Sequence, residues 1–267
     1  MPDLYSVILE RSIHCIFHMK NIPIRFLSDK DRDVSFLESL LRDRKRYKRE
    51  IEWALSGYKD LAQKLQKPAK VPSTSRLVQE YVDIFYARNG AQMHVQLKRI
   101  RFGWEKQRRK RFYQLVRKLF GDTAFPPGKY VAYGTMWHLY PRFLEDKTFF
   151  IPWKYTRRDF IYVVIAHEML HFKFFDFFKK HYSTYKDPEH SLFVWHVSEI
   201  FNILVQNSSP WMSVFHKRAK LYPEHVSVVR SLRQWQKKQS HINIDLLIQK
   251  IVTTLKNRKA FYGNDGN

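Results

Sequence analysis

His167-Glu168-Met169-Leu170-His171 sits inside a strongly apolar stretch, with Ile161, Val163, Val164 and Ile165 before it and Phe172, Phe174, Phe175 and Phe177 after it. Read as a helix, this segment is apolar nearly all round, so it must be buried. The three ionisable groups it carries then need partners inside the protein. Residues four apart share a helix face, which puts the two imidazoles one turn apart with their nitrogens converging on one metal ion, zinc by ligand type. Glu168, beside the first histidine, is a carboxylate able to take a proton from water and pass it to a leaving amine.

A catalytic zinc needs a third protein ligand and keeps its fourth position for water. The candidates downstream are His181, Glu189, His190, His196 and Glu199. Thr156-Arg157-Arg158-Asp159 reads as a helix start with a hydroxyl cap, and the helix runs to about Lys180. Asp187-Pro188 reads as the start of a second helix ending near Asn207. If the two helices are antiparallel, the chain climbs roughly nine to twelve residues at about 1.5 Å each before it is level with the histidines again. That count lands between His196 and Glu199 and favours Glu199, with His196 and His190 as alternatives. His190 otherwise reads as a surface histidine and His181 as a C-terminal cap.

The remainder of the chain reads as mainly helical. A cap at Ser28 with Asp29, Asp31 and Asp33 opens a helix expected to run to about Leu65. Pro68 and Pro72 break it, and helical spacing returns from Leu77 to Phe120. Gly121 to Gly128 is a turn cluster, and Tyr130–Tyr133 and Lys147–Trp153 are short strands by their β-branched and aromatic content. Beyond Pro210, Val226–Gln236 and Ile242–Lys256 are helical. The fold class expected is α+β, mainly helical. A basic helical region over 1–125 precedes a catalytic region over 126–267, built on a small sheet and the two metal-binding helices.

His167 to His171, followed by Ser198-Glu199-Ile200-Phe201-Asn202 on the next helix, resembles the gluzincin clan of zinc metallopeptidases, and most closely its minimal members, the minigluzincins. The resemblance covers about 147–207. It implies His167, His171 and Glu199 as ligands of one Zn2+, Glu168 as general base, a zincin-like fold, an upstream strand that pairs with an extended peptide, and hydrolysis of peptide bonds. Larger gluzincins place an aspartate after the ligand glutamate to orient the first histidine, where this chain has Asn202 and Ile203. His190-Ser191-Leu192-Phe193-Val194-Trp195 loosely resembles the third-histidine segment of SprT and YgjP-like proteases. That would make His190 the ligand and suggest substrates among nucleic-acid-associated proteins. Tyr182, Tyr185 and His196 are candidate oxyanion stabilisers.

Charge adds a second theme. The chain of 267 residues carries 48 Lys and Arg against 25 Asp and Glu, a net of +23, more than solubility requires. Ten cations lie between Lys98 and Lys118, Arg108, Arg109, Lys110 and Arg111 among them, against the one acid Glu105. They interleave with Phe102, Trp104, Phe112 and Tyr113, a pattern for a nucleic-acid partner with stacking aromatics. The competing expectation is a nucleic-acid-binding protein whose metal site is structural or inactive. A membrane surface would attract the same charge, yet every apolar face reads as having a core partner. The single Cys15 closes no internal disulfide, which excludes disulfide scaffolds and cysteine-rich zinc modules and fits a cytoplasmic compartment. No transmembrane segment or signal peptide is recognisable.

Overall fold

The computed structural model of the chain describes residues 22–66, 71–121, 123–155, 158–239 and 242–258. Cys15, Pro68, Asp122 and the Thr156-Arg157 cap lie outside them. The described residues form a mainly helical α+β fold with one small mixed sheet. Strands β1 (Ile24–Leu27), β2 (Tyr130–Thr135), β3 (Arg142–Phe143) and β4 (Thr148–Pro152) are ordered β1-β2-β4-β3, with β1 and β4 parallel to β2 and β3 antiparallel to β4.

Two compact units interleave along the chain, one holding 23–104 and 129–164, the other 105–128 and 165 onward. This differs from a single cut at 125/126. The reason is β1, which pairs in register with β2 from Ile24 opposite Tyr130 to Leu27 opposite Tyr133, so that the sheet collects its strands from both sides of that cut.

In the sheet-bearing unit, the helix expected from Ser28 to Leu65 is three helices, α1 (Lys30–Arg42), α2 (Lys48–Ala54) and α3 (Lys59–Gln66). Asp29, one residue after Ser28, is the cap, its carboxylate accepting from the Arg32 amide at 3.1 Å. The first break falls in Arg42-Asp43-Arg44-Lys45-Arg46, which offers nothing apolar to bury, and there Asp43 turns its carboxylate to the Arg46 amide at 3.0 Å. The 33-residue α4 (Val71–Gly103) follows, with Pro72 in its first turn, where no backbone donor is required. Leu37, Leu61, Val78, Val82, Trp137 and Phe150 form the core of this unit. Where α4 packs on β2, a Cβ on Gly134 would come within 2.7 Å of Leu97 Cδ2, so a larger residue there would force the Leu97 side chain to shift.

Asp33 ties the unit together. It is 1% exposed and accepts from Tyr86 Oη on α4 at 2.7 Å, from the Met136 amide at 3.3 Å and from the Thr135 hydroxyl, while Trp137 Nε1 donates to its backbone carbonyl at 2.9 Å.

The helical unit contains α5 (Arg109–Phe120), α6 (Arg158–His181) from Ile165 on, α7 (Leu192–Gln206), α8 (Ser209–Phe215), α9 (Val226–Gln236) and α10 (Ile244–Lys256). Its core is aromatic: Phe120 meets Phe177 and Phe201 at ring-centroid distances of 5.4 and 5.8 Å, and Phe174 meets Phe201 at 5.1 Å. These contacts join α5, α6 and α7. The helix expected from Asp187-Pro188 starts at Leu192, where Ser191 caps it through the Val194 amide at 3.3 Å. No helix among the described residues is long and apolar enough to cross a membrane.

Burial pushes the Asp33 carboxyl up from 3.8 to about 7, against the donors that lower it. The folded state therefore holds the proton more tightly than the unfolded chain, and stability falls as pH climbs from about 4 through 7. At about 1.4 kcal/mol per pH unit the full window is worth at most roughly 4 kcal/mol. The expected outcome is a urea midpoint that drops between about pH 5 and about pH 8, with a flatter drop in Asp33→Asn, read by circular dichroism.

Candidate metal centre

Helices α6 and α7 bring three side chains to one point. His167 Nε2 and His171 Nε2 are 3.0 Å apart, and the Glu199 carboxylate meets the first through Oε2 and the second through Oε1, both at 3.2 Å. These three form the one group of His, Cys, Asp or Glu residues placed to hold a metal ion among the described residues. A tetrahedral zinc with bonds of about 2.0–2.2 Å separates its ligand atoms by roughly 3.3–3.6 Å, within a few tenths of what the structure shows. The donor set, two imidazoles and a carboxylate with a place left over, suits a divalent ion of borderline softness.

Burial and electrostatics hold the group in place. His171 is fully buried and Glu199 is 2% exposed, whereas the His167 side chain keeps 18% of its surface, so solvent reaches the group from the His167 side. Burial works to lower the His167 pKa, but Glu199, helped by Glu168, overrides it and raises the imidazole to about 9. Burial likewise works to raise Glu199, and the two histidines hold it well below the usual carboxylate range.

His167 is oriented by a residue that its own helix does not contain. Gln206 Oε1 lies 2.8 Å from His167 Nδ1. An amide oxygen can only accept, so Nδ1 carries the proton and Nε2 is the atom left for a metal. Gln206 is two turns beyond Glu199 on the same face, and the spacing 199, 202, 206 in an otherwise apolar helix is the signal that marks it. Asn202, the middle member, donates through Nδ2 to the His167 backbone carbonyl at 3.1 Å and fixes the height of one helix against the other.

The other candidates are placed elsewhere. His190 is exposed and its Nδ1 meets the Asp187 carboxylate at 2.9 Å. His196 is buried against a partner the sequence does not suggest, His225, with Nδ1 and Nε2 2.8 Å apart. Tyr182 donates to the Asp245 carbonyl at 3.3 Å, and Tyr185 stacks on Phe193 at 5.9 Å. His181 stacks on Phe177, with Nδ1 2.8 Å from that residue's carbonyl oxygen at the helix end. Glu168 is buried at 5% exposure, next to His167 in α6.

The basic stretch is also only partly outward. Trp104 and Phe112 are fully buried, Tyr113 is 2% exposed, and Arg108 is buried with Nη1 on the Gln107 side-chain oxygen at 2.6 Å, whereas Lys110 and Arg111 face solvent and Arg109 is half-buried. The expected row of stacking aromatics is therefore core, with Phe102 the exception. No family model matches the chain, and no curated protein or solved structure does either.

This geometry fixes how each residue should affect metal binding. If the group takes up a divalent metal ion, Gln206→Ala should weaken its binding by about 10 to 100-fold, Glu199→Ala should weaken it far more and His190→Ala should leave it unchanged, as measured by competitive metal titration. Glu199 raises the His167 imidazole, so a divalent metal ion placed on Nε2 would displace a proton as it binds. Calorimetry in buffers of different ionisation enthalpy should therefore give different heats, and affinity should fall as pH drops below about 9.

Proposed function

We propose that the chain is a zinc-dependent peptidase in which His167, His171 and Glu199 hold the metal, α6 and α7 form a zincin-like helix pair, and Glu168 is the general base. The observation that carries this reading is the carboxylate of Glu199 set between two imidazole nitrogens deep in an apolar helix pair. A buried, fully polarised group of this kind is costly to maintain unless it binds something. A zinc ion held there supplies Lewis acidity to a substrate carbonyl and lowers the pKa of a water.

The chain's own residues do the rest. Gln206 keeps the His167 proton on Nδ1, and Asn202 keeps α6 and α7 in register. Glu168, one residue from the first ligand and just over a quarter of a turn off its face, accepts the proton from the attacking water and returns it to the leaving amine nitrogen. The group counts three ligands among the described residues, with its His167 side open to solvent, which favours a site with an open position over a closed structural one. The placement of His190 with Asp187 removes support from the SprT-like alternative.

Glu168→Gln should retain stoichiometric zinc and lose peptide hydrolysis by several orders of magnitude, whereas His167→Ala should lose both. Elemental analysis alongside cleavage of a mixed peptide library reads the two together. Hydrolysis at the parent rate in Glu168→Gln would overturn the assignment.

A further inference from the structure

The sequence suggests that every apolar face is covered by the core, whereas α4 keeps three large apolar side chains exposed. Its inner face is buried through Val78, Val82, Met93, Leu97 and Ile100, but its outer face keeps Ile84, Val95 and Phe102 at 52, 46 and 63% exposure. The positions 84, 88, 91, 95, 98 and 102 step by four and three, so Ile84, Arg88, Ala91, Val95, Lys98 and Phe102 lie along one stripe about 27 Å long at 1.5 Å per residue. Arg88 and Arg99 stand on one flank of the apolar line and Lys98 on the other, all three exposed.

No acid occurs from Ile84 to Trp104. The two acids just before it are neutralised within the protein, Asp83 by Lys30 at 2.6 Å and Glu80 by Arg76 at 2.8 Å. The face therefore carries no acid from Ile84 to Phe102 and bears its cations at Arg88 near one end and at Lys98 and Arg99 near the other, with Val95 between them.

We propose that this face of α4 docks the protein on an anionic lipid bilayer, lying flat in the headgroup region. The side chains of Ile84, Val95 and Phe102 enter the acyl boundary, while Arg88, Lys98 and Arg99 run their aliphatic stems beside them and set their charges at lipid phosphates. A nucleic acid fits the surface less well. Two of its three apolar side chains are aliphatic and offer bases nothing to stack on, and three of the four aromatics in the basic stretch are core. The proposal concerns a surface remote in sequence from the metal ligands and stands or falls independently of the peptidase reading.

The test is co-sedimentation of the full chain with vesicles of mixed phosphatidylserine and phosphatidylcholine and with vesicles of phosphatidylcholine alone. Binding is expected to the mixed vesicles and not to the neutral ones. Each cation near an anionic surface is worth about fivefold, so Arg88→Glu with Lys98→Glu and Arg99→Glu should weaken binding by at least about a hundredfold. Val95→Ser with Phe102→Ser, which leaves the charge unchanged, should weaken it by about tenfold or more, and Phe102→Leu should bind like the parent. Circular dichroism confirms that each variant is folded. Failure to bind the mixed vesicles overturns the proposal. So does binding that charge reversal abolishes but Val95→Ser with Phe102→Ser leaves intact, since that is counter-ion attraction without insertion. Tighter binding of an oligonucleotide through the same residues also overturns it and assigns the face to nucleic acid.

Discussion

A carboxylate at 2% exposure must be compensated, and the helical unit is arranged around compensating Glu199. Its two oxygens face two imidazoles one turn apart on α6, which requires α6 and α7 to lie side by side at one height. The Asn202 contact to the His167 carbonyl sets that height, and Gln206 sets the ring orientation. Glu199 and His171 are buried among apolar side chains, so the polar contacts act in a low-dielectric setting where they are strong if complete and costly if broken. A single surface, that of His167, stays open.

The sheet-bearing unit solves a similar problem with a different residue. Asp33 replaces water by three donors drawn from α4 and the end of β2, and so fixes where α1, the sheet and the long helix meet. With this side of α4 committed to the core, the opposite side is left to carry Ile84, Val95 and Phe102 among cations. One helix thus serves as both a core element and an outward surface, because residues stepping by three and four separate its two faces along all 33 residues.

Much of this arrangement is legible in the order of the residues. The apolar run around His167 to His171 allows only a buried helix, and a helix allows only one relation between the two histidines. The climb of the following helix then narrows the third member to residues near Glu199, even though that helix starts after Ser191 and not at Pro188. The helix climbs seven residues from Leu192 to Glu199 instead of nine to twelve, and the connection from Tyr182 to Ser191 takes up the remainder. Strands β2 and β4 and the last two helices are visible in their residue types for the same reason, that local propensity and burial agree there.

What periodicity does not reach are the relations between residues distant in sequence. β1 is four residues long and is a strand only because Tyr130–Tyr133 lies alongside it. His196 has the spacing of a metal ligand, but its Nδ1 is taken by His225, 29 residues away. Trp104, Phe112 and Tyr113 have the pattern of a stacking surface because sequence shows a basic aromatic face without saying which side is covered. Sequence determined the chemistry that the buried helix must carry, since residue type and spacing set what converges along one helix. Tertiary structure alone decided which polar groups complete that chemistry and which apolar faces stay outside, because both depend on what packs opposite.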